Sequence, residues 1–288
     1  MHDILKKLGR LGIIPVIKID NVSDAVPLAK ALCDGGLPCA EITFRTDAAE
    51  ESIRRITQAL PDMLVGAGTV LTTDQVDRAV AAGAKFIISP GLNPTIVKYC
   101  MDKDILITPG CATPSDIEVA IELGLGVVKF FPAEANGGIN AIKAMSAPYT
   151  QMKFMPTGGV NAKNLNDYLS YSKIIACGGS WMVDPKLINA GDFAGIEKLT
   201  REAIQTMLGF SIMHAGAACQ GDTAKLFCKT FGSFLENKNQ ITIGTNYLDR
   251  GKAYLESLGF TFNMDTYTSK SVFMNEKFGD LAVQLMQK

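Results

Sequence analysis

The sequence predicts an α/β protein: a TIM (β/α)8 barrel over residues 1–208, followed by a small α+β domain over residues 209–288. Three observations predict it. Short β-rich apolar runs, each ending in Gly, Pro or a polar residue, alternate with helical patterns, and that alternation implies βαβ units around a parallel sheet. Eight such runs fall within residues 1–208, the low end of the length a closed barrel needs. A doubly wound open sheet would favour a G-x-G-x-x-G turn after the first run, where this chain has Ile17-Lys18-Ile19-Asp20.

The runs are Ile13 to Lys18, Cys39 to Phe44, Leu64 to Val70, Phe86 to Pro90, Ile105 to Pro109, Val127 to Phe131, Lys153 to Thr157 and Ile174 to Cys177. Helical patterns between them include Ser23 to Cys33, Asp47 to Leu60, Thr73 to Ala82 and Pro114 to Leu123. Ser23, Thr73 and Thr113 are predicted as caps, the last with Pro114 at the first helical position. A final barrel helix is expected from Asp192 to Leu208, and a seam near Gly209. Beyond it the texture changes: Phe, Asn and Thr become richer, with β segments at Gln240 to Asn246, Ser271 to Asn275 and Leu281 to Met286. Helices are expected at Thr223 to Phe231 and Asp249 to Leu258.

Composition narrows the function. Lys plus Arg total 28 and Asp plus Glu 29, so a net charge of -1 offers no basic field for nucleic acid. No apolar run of about 18 residues spans a membrane, and the N-terminus lacks the order of a secretory signal. Seven Cys residues, without a C-x-x-C pair, read as reduced thiols in a cytoplasmic protein. His2 and His214 are the only histidines, which excludes a His-rich zinc site within the barrel. Chemistry there must rest on Lys, Glu, Arg and backbone groups.

A barrel carries its site at the C-terminal ends of its strands. In the sixth run, Lys129 is flanked by apolar residues. Burial in general disfavours a charged amine, and a neutral amine adds to ketones to form a Schiff base; the alternative is a structural lysine paired with an interior carboxylate. In the second run Glu41, Thr43 and Arg45 share one face, predicted to point inward. Glu41 can serve as a general acid/base and Arg45 as a carboxylate fork, or the two can form a plain ion pair. Thr69 offers a hydroxyl beside the small residues that end the third run. Gly158-Gly159 and Gly178-Gly179 follow the seventh and eighth runs, where barrels bind phosphate through exposed N–H groups; either can also be a simple turn. Lys18 is the one rival amine near the strand tips. Cys39, Cys100, Cys111 and Cys177 read as small core fillers.

Together these residues resemble the KDPG/KHG aldolase family, the class I aldolases of 2-keto-3-deoxy-6-phosphogluconate and 4-hydroxy-2-oxoglutarate. The carriers are Glu41-Ile42-Thr43-Phe44-Arg45-Thr46, Val65-Gly66-Ala67-Gly68-Thr69-Val70, Ile88-Ser89-Pro90-Gly91, Thr108-Pro109-Gly110, Val128-Lys129-Phe130-Phe131-Pro132-Ala133-Glu134, Pro156-Thr157-Gly158-Gly159-Val160 and Gly178-Gly179-Ser180. The resemblance implies Lys129 as Schiff-base lysine and Glu41 as general acid/base acting through a water. It implies Arg45 and Thr69 on the pyruvate carboxylate, Pro90 and Phe131 as walls, and Thr157 orienting substrate. Gly158, Gly159, Gly178 and Ser180 would hold phosphate. It further implies no metal or organic cofactor, a small-molecule substrate and a homotrimer.

Residues 209–288 depart from that family and loosely resemble part of a glyoxalase-like (vicinal-oxygen-chelate) domain, through His214-Ala215-Gly216, 224–232 and 249–260. Only His214 could serve as a ligand, with Gln284 where such domains carry Glu, so a metal site is not expected. Alternatives stay open: the 6-phosphogalactonate epimer as substrate, a phosphosugar epimerase on the same barrel, and a binding or oligomerisation role for the C-terminal segment.

Overall fold

The computed structural model describes residues 2–216 and 239–288. The chain divides into two compact units, Met1–Ile204 and Gln205–Lys288. The division falls inside the last helix of the barrel.

In the first unit, strands β1 (Ile13–Ile17), β2 (Cys39–Thr43), β3 (Leu64–Gly68), β4 (Ile87–Ile88) and β5 (Ile107–Thr108) are followed by β6 (Gly110–Cys111), β7 (Val127–Phe130), β8 (Lys153–Pro156) and β9 (Cys177–Gly179). All pairings are parallel. One run is ordered β5-β4-β3-β2-β1-β9 and a second β6-β7-β8. The fifth strand is split into β5 and β6 at Pro109, which has no N–H to give to a ladder. Isolated bridges Phe154↔Ile174 and Thr157↔Gly178 tie β8 to the eighth strand, and β9 pairs with β1, so the eight-stranded TIM barrel closes. That strand lies further along the chain than the apolar run suggested: Gly178 and Gly179 pair with Ile14 and Pro15 instead of following the strand.

The helices are α1 (Asp3–Leu11), α2 (Ala25–Asp34), α3 (Ala48–Ala59), α4 (Thr73–Ala81), α5 (Pro94–Asp102), α6 (Pro114–Glu122), α7 (Gly138–Ser146), α8 (Leu165–Leu169), α9 (Pro185–Asn189) and α10 (Phe193–Leu208). Helix α1 was not foreseen. The His2 side chain accepts from Ile4 N at 3.2 Å to cap it, and Gly12 ends it at φ 74°. Its Leu5 and Leu8 join Ile14, Phe86, Ile88, Val127, Met155 and Ile175 in one apolar cluster, closing the barrel at the strand starts. Burying a leucine such as Leu8, 1% exposed, stabilises by about 1.5–3 kcal/mol.

Two caps differ from expectation. Thr72, not Thr73, caps α4, its hydroxyl accepting from Gln75 N at 3.2 Å. Ser23 caps nothing: a 3-10 turn, Val22–Asp24, leads into α2. Thr113 caps α6 as expected, with a reciprocal bond to Asp116 and Pro114 in the first turn.

The second unit contains β10 (Ser211–Gly216), β11 (Gln240–Thr245), α11 (Leu248–Ser257), β12 (Phe262–Asn263), β13 (Ser271–Phe278) and β14 (Leu281–Gln287). The sheet order is β10-β11-β14-β13-β12, with β11 and β14 parallel and the other pairs antiparallel. Leu248 of α11 packs with Phe262, Val272 and Leu285 to form its core. β10 and β12 were not foreseen, because Ser211–Gly216 ends in small residues and β12 has only two residues. The helix expected at 223–231 lies outside the described residues. His214, Thr242 and Gln284 form one row across β10, β11 and β14, and Gln284 Oε1 accepts from Gln240 Nε2 at 2.7 Å. Among the described residues no group of three or more His, Cys, Asp or Glu is placed to hold a metal ion, and no helix is long and apolar enough to cross a membrane.

Candidate active site

The strand register brings the key groups together. Glu41 sits in the middle of β2, opposite Val16 of β1 and Gly66 of β3. Lys129 sits in β7, opposite Gly110 of β6 and Met155 of β8. Both point into the barrel, where Lys129 is 4% exposed and Glu41 1%. Lys129 Nζ lies 3.4 Å from Glu41 Oε1. A charge pair this deep requires good geometry, because removing both groups from water costs several kcal/mol per ion. The carboxylate has room only because Gly68 lacks a side chain: a Cβ there would collide with Glu41.

Unlike Glu41, Arg45 is not buried within the barrel. β2 stops at Thr43, and Phe44 N donates to Gly68 O at 2.8 Å while Arg45 N turns back to Thr43 O at 2.8 Å. The two-residue alternation therefore ends before Arg45, which is exposed at the strand tips. Glu41 takes its charge partner from β7 instead. Arg45 Nε donates to Thr69 Oγ1 at 3.2 Å. Thr69 holds φ 56°, unfavourable for a β-branched residue and costing about 1–3 kcal/mol. Such strain is often retained where a side chain must be aimed.

A cavity of about 370 Å³ opens at this end of the barrel. Arg45, Phe131, Thr157, Gly158, Gly159 and Ser180 line it, as do Lys18 and Thr43. Glu41, Lys129, Thr69, Pro90 and Gly178 do not. Lys129 lies beneath its wall: the amine is 5.0 Å from the centre of the Phe131 ring. Pro90 lies over Gly110, whose missing side chain leaves space for the Pro90 carbonyl. Gly178 makes room in the same way for Thr157. The Phe131–Pro132 peptide is cis, at the exit of β7. A second cavity, of 510 Å³, is lined by His2, Leu5 and residues at strand starts such as Val127 and Lys153, away from these groups.

Gly158 and Gly159 hold φ 97° and 85°, values that favour glycine. Among the described residues their N–H groups have no acceptor. Two cations stand near, Arg45 and Lys18, the latter paired with Asp20 at 2.7 Å. The arrangement combines a buried amine, a carboxylate beside it, a hydroxyl on Thr157, and cations and free N–H groups facing an opening. It can hold an anionic substrate while an amine attacks its carbonyl. The sequence marks Lys18 only as a rival amine and gives Thr43 no role. The inward face of β2 and the tip position of Lys18 were the available signals.

Cys39, Cys100, Cys111 and Cys177 are buried. Burial pushes the Cys100 thiol up to about 11 and the Cys111 thiol up to about 12, so neither supplies a thiolate near neutral pH.

Comparisons with known proteins identify the family. A family profile described as KDPG and KHG aldolase matches residues 4–199. The 2-dehydro-3-deoxy-phosphogluconate aldolase of Haemophilus influenzae is 51% identical over 203 residues, spanning 70% of this chain and 96% of that protein. The KHG/KDPG aldolase of Escherichia coli is 43% identical over 193 residues, 67% of this chain and 91% of that protein. The crystal structure of KDPG aldolase from Legionella pneumophila, with pyruvate captured at low pH as a covalent carbinolamine intermediate, superposes with a TM-score of 0.67 at 38% identity. It covers 69% of this chain and 97% of that one. With two thirds of its length matched, the chain belongs to the KDPG/KHG aldolase family.

Proposed function

We propose that this aldolase cleaves 2-keto-3-deoxy-6-phosphogluconate to pyruvate and glyceraldehyde 3-phosphate through a Schiff base on Lys129. The observation that carries the reading is the buried Lys129–Glu41 pair, 3.4 Å apart, beneath a cavity rimmed by cations and free N–H groups. The Lys129 amine adds to the C2 ketone to give a carbinolamine, which loses water to become a protonated imine. The imine withdraws the C3–C4 electron pair as the C4 hydroxyl loses its proton to a base. The aldehyde leaves, and the enamine takes a proton at C3. Water then releases pyruvate and the free amine. Glu41 is the carboxylate within reach of Nζ, and we assign it these proton transfers.

Arg45 and Thr69, joined to each other, suit the pyruvate carboxylate. Pro90 and Phe131 wall the pyruvyl group, and Thr157 orients it. Gly158, Gly159 and Ser180 receive the phosphate, with Gly178 making the space that Thr157 needs. Cleavage of 4-hydroxy-2-oxoglutarate to pyruvate and glyoxylate is a second reading, favoured by Lys18: a second cation beside the cavity can meet a second carboxylate. A homotrimer and a cytoplasmic location accompany the reading, from the family resemblance and the cysteine pattern.

Residues 209–288 lie outside the matched region, and we assign them a binding or oligomerisation role. A chain ending at Leu208 should keep its cleavage kinetics and change its assembly or ligand response; unchanged assembly and response would remove that assignment.

The catalytic reading is tested by incubating the protein with pyruvate and borohydride and mapping the adduct by mass spectrometry. A reduced pyruvyl group on Lys129 is the expected result. An adduct on Lys18 would keep the chemistry and overturn the site; no adduct on folded protein would discard the Schiff base.

A further inference from the structure

A side chain that the proposed chemistry does not use packs against the Gly158–Gly159 turn. Glu134 follows the tip of β7, in the stretch Phe131-Pro132-Ala133-Glu134. Its N–H donates to Gly158 O at 3.0 Å, and the preceding Ala133 N–H donates to Thr157 O at 2.8 Å. Its Cβ and Cγ fill the place a side chain on Gly159 would take. Its Oε1 accepts from the hydroxyl of Tyr168, on α8. Tyr168 is 1% exposed, and burial followed by the bond to Glu134 pushes its phenol well up, so it remains a donor. On the far side of the turn, Asn161 and Asn164 Nδ2 donate to Gly159 O at 3.0 and 3.2 Å.

Both carbonyls of the turn are thus occupied by donors, and among the described residues its two N–H groups have no acceptor. The carboxylate is itself held by a buried hydroxyl. A loose turn could swing those N–H groups by an ångström, enough to lose anion bonds that depend on direction.

We propose that Glu134 and Tyr168 are positioning residues that fix the Gly158–Gly159 turn for the phosphate of the substrate. They touch neither the amine nor the reacting carbons. This inference rests on the reading of that turn as the phosphate site.

The test compares the unsubstituted protein with Glu134→Ala, Glu134→Gln and Tyr168→Phe. Two substrates are used: 2-keto-3-deoxy-6-phosphogluconate and 2-keto-3-deoxygluconate, the same acid without phosphate. Pyruvate–borohydride trapping at Lys129 reports on the amine site separately. Glu134→Ala and Tyr168→Phe should raise KM for the phosphorylated acid about tenfold, as expected for losing aligned bonds to a charged group. Turnover of the unphosphorylated acid should stay within about twofold, with trapping unchanged. Glu134→Gln keeps an acceptor for Tyr168 and should recover most of the loss. Equal losses on both acids, or an unchanged KM on the phosphorylated one, would overturn the proposal. If Glu134→Ala does not fold, the same criteria are read from Tyr168→Phe, with Glu134→Gln as the variant expected to stay near the unsubstituted protein. An unsubstituted protein that shows no preference for the phosphorylated acid would overturn the phosphate site and this inference together. Failed trapping with that preference intact would strike only the Schiff-base reading.

Discussion

Lys129 Nζ meets Glu41 Oε1 at 3.4 Å across the barrel, although the two residues stand 88 positions apart in the chain. Neither is more than 4% exposed. Each is the other's compensation for lost water, so structure and chemistry are coupled at this pair. Glu41→Gln should lower kcat about 10²- to 10⁴-fold, the range for a lost general acid/base. Lys129→Ala should abolish pyruvate trapping and, by leaving Glu41 buried and alone, destabilise the fold by about 3 kcal/mol. Lys129→Met combined with Glu41→Leu should recover most of that stability without activity. Denaturant titration alongside cleavage assays separates the two effects.

Gly68 is expected to be intolerant of the smallest addition. A Cβ at this position overlaps the Glu41 carboxylate, and the strand pairing of Gly68 with Thr43 prevents the backbone from backing away. Gly68→Ala should shift Glu41 and lower kcat by about 10²-fold, the cost of roughly an ångström of misplacement. Steady-state kinetics would check this, and a kcat within twofold would show that Glu41 can be moved without loss.

The cap of α6 gives a pH-dependent element. Burial alone would raise the Asp116 carboxyl, but N–H donors of Ala112 and Thr113 and the Thr113 hydroxyl outweigh it and hold the group below the ordinary aspartate value. A lowered folded value means that the contribution is full above the ordinary aspartate range. It is lost as pH falls through the depressed folded value. Asp116→Ala should therefore cost about 1 kcal/mol at pH 7. That difference should shrink towards zero in strongly acid solution, as read by urea titration across pH.

The buried thiols should resist modification. With Cys100 raised to about 11 and Cys111 to about 12 by burial, little thiolate exists at pH 8. Iodoacetamide should leave Cys39, Cys100, Cys111 and Cys177 unlabelled in native protein and label them in urea, measured by peptide mass spectrometry. Rapid native labelling of Cys111 would show that its surroundings open readily.

The alternation of strand and helix, the Thr113 cap and the inward pointing of Glu41 were determined by the sequence alone, because they depend on local periodicity and nearest neighbours in the chain. The end of β2 was not. Arg45 stands exposed beyond it, where Phe44 N still bonds Gly68 of the neighbouring strand and Arg45 N turns back to Thr43. The partner of Glu41, the closing of the barrel base by α1 and the support of Gly159 by Glu134 and Tyr168 were likewise decided by tertiary structure. In each, groups far apart in the chain compete for one buried place, and only closure of the barrel settles which of them occupies it.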